Sequence, residues 1–406
     1  MKFTAFLNGE LNNAAKYLSS FANVCHADCT VLDGKFGTSP DCTWKPWVYE
    51  DRVAVAKQVT KFKSKLPNVT KQSQRSKITQ FIAGKHSRQE FLPIIGKLCD
   101  KTYLEPLHLK NNAVKHLHAL FLRLAISISN LPAKLNNVSE FPENCAMSRY
   151  MKAMHGQVNA TQLNKRLERW LLDGRARDKD FSYCLTGKDS KLVLHGFMFL
   201  ISAIKGDSED LRLLCKLMFL AFLATKLRDC VAYFSMYHLT EENLLKLPSL
   251  AKDYFTAVAL FSGHTGVSPT VWSIGYLVPV HTKWLFDKFG TGLGINAMQG
   301  REAKHVQIAS YTKNSLFKQC WYQVFRHDYI SKVWLLLRQP SLLAYHQARG
   351  TLIPPRVLRD PEHYCYCGFT KDAGKDACFY CDHSLMTEIR SVAQQKPTKV
   401  CLKYMS

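Results

Sequence analysis

A chain of 406 residues with 47% hydrophobic and 21% charged side chains can bury a large core, which excludes an intrinsically disordered protein. Its 55 Lys and Arg against 32 Asp and Glu leave a formal charge of +23, so a polyanion is the expected partner, and nucleic acid is the commonest one. The first ten residues carry neither a long apolar region nor a small-residue cleavage site; no signal peptide is expected, and the 14 cysteines are expected as thiols or metal ligands in an intracellular, nuclear setting.

In chain order, Phe3 to Leu7 and Tyr17 to Val24 are apolar and lead into Cys25-His26-Ala27-Asp28-Cys29, which reads as a strand or helix entering a metal knuckle. Residues 31–50 read as a loop bearing Trp44, Trp47 and Tyr49. Residues 51–66 place Val53, Val55, Val59 and Phe62 at helical spacing, and Lys71 to Lys85 reads as a polar, basic connection. From about 88 to 260 the pattern is helical throughout. Helices are predicted over Asn111 to Asn130, Leu163 to Leu172, Lys191 to Ile204, Leu211 to Phe234 and Leu245 to Phe261, with Pro132, Pro142, Gly206 and Pro248 as punctuation. The most apolar run, Leu217 to Thr225, lies between Lys216 and Lys226; it is too short to span a bilayer, and no membrane partner is expected.

Gly263 to Pro269 is a turn-rich break, and Trp272 to Phe289 is expected to be helical after Pro279. The stretch from Gly290 to His305 reads as a mobile glycine turn entering a helix whose one carboxylate, Glu302, sits among basic neighbours. That acid suits a metal at the mouth of a nucleic-acid groove, or is simply part of a solvated helix start. Leu316 to Leu337 is a further helix rich in Trp, Phe and cations; Pro354-Pro355 then opens the last segment, and a flexible basic tail follows Gln394.

Cys365, Cys367, Cys378 and Cys381 give two close pairs ten residues apart, the spacing of a structural zinc site whose metal would supply folding energy to a short loop. His363 and His383 are substitute ligands. Cys25 and Cys29 need distant partners; His281 is the candidate, with His26 as alternative, and a core role for His281 is an equal reading. Asn111 or Asn112 is expected to cap the long helix. The basic runs Lys57 to Lys85, Lys165 to Arg177 and Lys313 to Arg338 mix cations with aromatic side chains, as nucleic-acid grooves do. Lys304, His305, Lys313, Arg326, Lys332 and Arg338 are the candidate nucleic-acid contacts. A phosphate-binding loop, a nucleophile elbow and an HExxH helix are all absent from the sequence.

Read in order, Met1-Lys2-Phe3, the Cys25/Cys29 pair, Glu105-Pro106-Leu107-His108 with Asn111-Asn112, His281, and Gly292-Leu293-Gly294 to Glu302 resemble the DDE transposases of the RNase H-like fold with a helical insertion. That group includes Transib elements and the V(D)J recombination-activating recombinase. The likeness covers roughly residues 1–310, and is nearest to transposon-derived proteins with a GlxSMQGREAKH-like motif. It implies a mainly α fold: a partial RNase H-like α/β remnant with a Cys knuckle (1–85), a large helical insertion (86–262), the helices of the terminal catalytic segment (263–350), and a small Cys-rich zinc-binding segment with a basic tail (351–406). It also implies that His281 joins Cys25 and Cys29 on zinc and that Glu302 is the last catalytic acid. The first two catalytic Asp residues of that family would precede Met1, CxxxC replaces CxxC, and Tyr276 stands where a second zinc-binding His is expected. Two-metal phosphoryl transfer with Mg²⁺ or Mn²⁺ needs all three carboxylates. The expectation is a DNA-binding protein that is catalytically incomplete on its own, with homodimerisation left open. The alternative is a non-enzymatic, zinc-stabilised nucleic-acid-binding or interaction module.

Overall fold

The long apolar stretches become a helical core. The computed structural model describes residues 2–11, 16–66, 70–132, 135–173, 181, 185–261, 267–313, 321–338 and 353–394. The helices are α1 (Lys2–Leu7), α2 (Tyr49–Lys63), α3 (Lys71–Gly84), α4 (Pro106–Ser127), α5 (Ala146–Gly156), α6 (Thr161–Leu172), α7 (Gly187–Lys205), α8 (Leu211–Phe234) and α9 (Glu241–Phe261). They continue with α10, a single rod made of Pro269–Trp272, a π turn over Ser273–Leu277 and Val278–Phe289. The last are α11 (Gln299–Lys313), α12 (Trp321–Arg338), α13 (Pro355–Arg359), α14 (Phe379–Asp382) and α15 (Ser384–Gln394). Among the described residues β pairing is confined to isolated bridges, such as Glu10 with Gln89 and Tyr17 with Cys25. The fold is mainly α. The α/β remnant expected over 1–85 shows no strand ladder there; Phe3 to Leu7 lies in a helix, and residues 16–48 are irregular.

Helix α8 is buried on nearly all sides and forms the axis. Helices α4, α7, α9 and α15 pack around it, and α5 and α6 extend the bundle beyond α7 and α4. Local signals set the helix starts. Thr186 and Asp189 make a capping box for α7, Asp210 caps α8, and Ser268 caps α10 ahead of Pro269. Helix α4 begins earlier than expected, at Pro106. Its cap is Glu105, whose carboxylate accepts the Leu107 and His108 amides at 2.9 and 2.7 Å; Asn111 instead accepts the Ser190 hydroxyl at 2.7 Å. Pro248 does not interrupt α9, because Leu247, Ala251, Tyr254, Phe255 and Val258 are buried on that helix. Their packing outweighs the roughly 3 kcal/mol that an interior proline costs.

The supposed connection Lys71 to Lys85 is a helix. Thr70 caps it, Ile78 and Ile82 bury beside Val59 and Leu11, and Phe81 stacks on Phe62 at 4.2 Å. One buried core includes Trp44, the α4–α10 helices, Leu293 and Cys378, drawing on all four segments expected from the sequence. The N-terminal loop reaches α10 through Trp44, which meets Trp272 and Tyr276 edge-on at 5.3 and 4.7 Å. The Tyr276 hydroxyl lies 2.7 Å from the Val31 carbonyl. No helix among the described residues is long and apolar enough to cross a membrane.

Candidate metal centre and nucleic-acid interface

Residues 364–370 double back on themselves. The Cys365 amide donates to the Phe369 carbonyl at 2.8 Å and the Gly368 amide to the Cys365 carbonyl at 2.7 Å. Gly368 sits at φ +95°, a conformation other residues rarely adopt, so the Cys-Tyr-Cys-Gly turn can close. Cys378 opens the short helix α14; its carbonyl accepts the Cys381 amide at 3.0 Å, and the Asp372 carboxylate accepts the Phe379 amide at 3.2 Å. These two turns bring the sulfurs of Cys365, Cys367, Cys378 and Cys381 within 4.8 Å of one another, with Cys367 and Cys378 3.5 Å apart. Metal–sulfur bonds of ~2.3 Å in a tetrahedron put sulfurs about 3.8 Å apart. The donor set therefore fits one metal ion, and a cation shared by four thiolates is the chemistry it favours.

The thiols also interact with one another. Hydrogen bonding from Cys367 and the other thiols holds Cys365 down, while Cys367 and Cys381, bonded first of all to Cys365, are pushed up. Cys378 is held down as well, so two thiols of the cluster are lowered and two raised, and a cation among them would share the charge of the thiolates.

The centre is docked rather than tethered. Arg228, 1% exposed within α8, donates to the Tyr366 and Cys367 carbonyls at 3.1 and 3.3 Å and lies over the Tyr366 ring at 4.6 Å. Asp229 pairs with it at 3.1 Å. Arg356 donates to the His195 carbonyl at 2.6 Å and to the Gly368 carbonyl, and stacks on Phe199 at 4.4 Å. Met386 and Ile389 of α15 join the main core. Sequence reasoning missed both arginines. The available signal was Arg228 itself, a cation inside the most apolar helix, which has to find partners once buried.

The N-terminal cysteine pair behaves differently. Asp28 is its organiser: one carboxylate oxygen accepts the Cys25 amide at 2.9 Å and the Trp44 indole at 3.0 Å, and the other accepts the Cys25 thiol at 3.2 Å. Burial, then Asp28, pushes the Cys25 thiol up; burial and Asp28 do the same to Cys29. His281 is a core histidine. Its Nδ1 accepts the Leu104 amide at 3.2 Å, its ring stacks on Trp284 at 5.5 Å and meets Phe21 edge-on at 5.3 Å, and burial drops its pKa to about 3. The expected zinc site of Cys25, Cys29 and His281 is not assembled. Among the described residues, the group of three or more such ligands is the C-terminal one.

The glycine turn is not the mobile element expected. Gly290 ends α10 in the left-handed conformation at φ +64°, and the Gly292 and Gly294 amides donate to the Tyr237 and Met236 carbonyls at 2.6 and 3.0 Å. A Cβ on Gly292 or Gly294 would meet the Met236 carbonyl oxygen at 2.4 or 2.5 Å, so the glycines allow the turn to lie on the end of α8. Glu105 then accepts the Met298 amide at 2.9 Å, joining the start of α4 to the start of α11. Glu302 lies in the first turns of α11, and its side chain is outside the described residues, as are those of Lys313 and Arg338.

Two basic surfaces flank this core. From Arg52 to Gln89 the sequence holds no Asp or Glu; Lys57, Lys61, Lys65, Lys71, Arg75, Lys77 and Lys85 are all exposed on or beside the α2–α3 hairpin. The buried Glu90 pairs with Lys63 and Arg75 at 2.8 and 2.7 Å and leaves the rest uncompensated by it. Helices α11 and α12 form a second hairpin. There Lys304 pairs with the buried Asp328, and Lys332 lies 3.6 Å from the same carboxylate, so part of the charge expected for a polyanion is spent internally. His305 and Arg326 are exposed. No known protein family, characterised protein or solved structure matches this chain.

Proposed function

We propose that this protein is a DNA-binding derivative of a DDE transposase, held together at its C-terminal end by structural zinc. The observation that carries the binding reading is the α2–α3 hairpin: seven cations on or beside it face solvent, within a stretch from Arg52 to Gln89 that holds no acid. Such a surface binds phosphates by releasing counterions. The transposase reading rests on the ordered motifs from Met1 to Glu302. Two-metal phosphoryl transfer with Mg²⁺ or Mn²⁺ takes three carboxylates, of which Glu302 is the one these motifs assign. Four cysteines at tetrahedral spacing suit zinc.

The test is duplex-DNA affinity measured from 50 to 200 mM salt (~0.05–0.2 M, the range over which phosphate contacts are lost). Affinity is expected to fall steeply with salt. Lys57→Ala, Lys61→Ala and Lys77→Ala are each expected to lower the slope of log affinity against log salt by about one. Affinity independent of salt overturns the reading. A second reading, a protein-interaction module, draws on the exposed apolar side chains Phe6, Phe91, Leu92, Ile94 and Leu98. It expects partner binding that salt does not weaken.

A further inference from the structure

Helix α12 turns only a narrow face inward. Val324 and Asp328, four positions apart, are buried, and Asp328 is held there by Lys304. The far side presents Tyr322, Phe325 and Tyr329, with exposures of 72%, 53% and 69%. Positions 322, 325 and 329 follow the i, i+3, i+7 rule, so these rings share one stripe. Arg326 and Lys332 lie on opposite edges of the stripe, both exposed. An apolar stripe of this size is ordinarily covered by something. The sequences of α11 and α12 hold six Lys or Arg against two acids, and Asp328 is already committed to Lys304 and Lys332. A second copy would set cation against cation. A polyanion with flat apolar faces matches both halves of the surface.

We propose that the outer face of α12 is a stacking platform for unpaired nucleotides, so that the protein grips single-stranded or frayed DNA through Tyr322 and Tyr329 while Arg326 and Lys332 hold the backbone. This rests on the DNA-binding reading and adds the form of DNA recognised. From 322 to 329 the helix rises ~10 Å. That length accommodates about three nucleotides at the ~3.4 Å spacing of one strand. Bases in a duplex hide the faces such rings require, so α12 contributes little to duplex binding, which the α2–α3 hairpin supplies.

The experiment compares affinities for a short single-stranded oligonucleotide and for its duplex, at one salt concentration, with the full chain. The variants are Tyr322→Ala/Tyr329→Ala, the ring-preserving Tyr322→Phe/Tyr329→Phe, and the apolar but non-stacking Tyr322→Leu/Tyr329→Leu. Circular dichroism and size-exclusion chromatography accompany each. The alanine and leucine pairs are expected to lose at least about tenfold in single-strand affinity. The phenylalanine pair is expected to keep it, and all three to keep duplex affinity. Unchanged single-strand binding in a folded alanine pair overturns the platform, whereas salt-dependent duplex binding would still uphold the parent reading. Failure of both DNA forms to bind wild-type protein overturns the parent reading itself. A wild-type dimer that becomes monomeric in the alanine pair, with single-strand affinity intact, overturns the platform by showing that a second copy covers this face.

Discussion

His281 shows how one residue type supports two chemistries and how its neighbours choose between them. A zinc-ligating imidazole needs a free ring nitrogen facing thiolates; this one spends Nδ1 on the Leu104 amide and is enclosed by Phe21, Tyr103 and Trp284. Burial holds it neutral with a pKa of about 3, below the ordinary value of 6.5. Between those two values the unfolded chain binds the proton and the folded chain does not, so stability is full above about pH 6.5 and declines as pH falls toward 3. His118, buried and likewise lowered to about 3, adds to the same loss. In His281→Phe, thermal unfolding followed from pH 7 to pH 4 is expected to show a shallower decline than in wild type. At pH 7 the variant should be less stable by about 1–3 kcal/mol, because the buried Leu104 amide loses its acceptor. An identical pH profile in the two proteins would place His281 elsewhere than in this enclosed site. The sequence showed the histidine and its apolar flank; the 177 residues that separate it from Leu104 hid the hydrogen bond that decides its role.

At the scale of elements, the glycine turn between α10 and α11 shows that a motif can be legible while its reason is not. Three glycines in a row of five residues read as mobility. The structure uses two of them for close approach to the Met236 carbonyl and one as a left-handed helix stop. Gly294→Ala is therefore expected to destabilise the fold by about 1–3 kcal/mol through forced displacement of backbone. Gly300→Ala, where a Cβ meets nothing within 4 Å in a helical backbone, is expected to be neutral or stabilising. Chemical denaturation of the two variants separates a packing role from a flexibility role: equal midpoints would contradict the close approach. Helix α3 is the converse case. Its apolar residues are few, and only the pairing of Ile78 and Ile82 with Val59 and of Phe81 with Phe62 makes its inner face visible.

Across the whole molecule, the four-cysteine turns join the C-terminal segment to the middle of the chain. Arg228 and Arg356 fasten the cysteine turns to α8 and α7, and α15 returns from the centre onto α8 and α9. The purified protein is expected to carry about one tightly bound metal ion, lost in Cys378→Ser/Cys381→Ser, as elemental analysis would report. Chelation is expected to expose residues 354–394 to proteolysis first while the α4–α9 helices keep their circular dichroism, because the bundle has its own core and the cysteine turns do not. Simultaneous loss of both would make the metal a condition for the entire fold. The sequence by itself determined the mainly helical class, the central helix from Leu211 to Phe234, the four C-terminal cysteines and the surplus of positive charge. These follow from composition, periodicity and short spacing, all of which act within a few turns of chain. Only the tertiary structure decided that His281 packs instead of ligating, that the glycines fit against α8, and that Arg228 anchors the metal turns. Each of those depends on contacts between residues far apart in sequence, where burial and geometry, rather than residue type, set the chemistry.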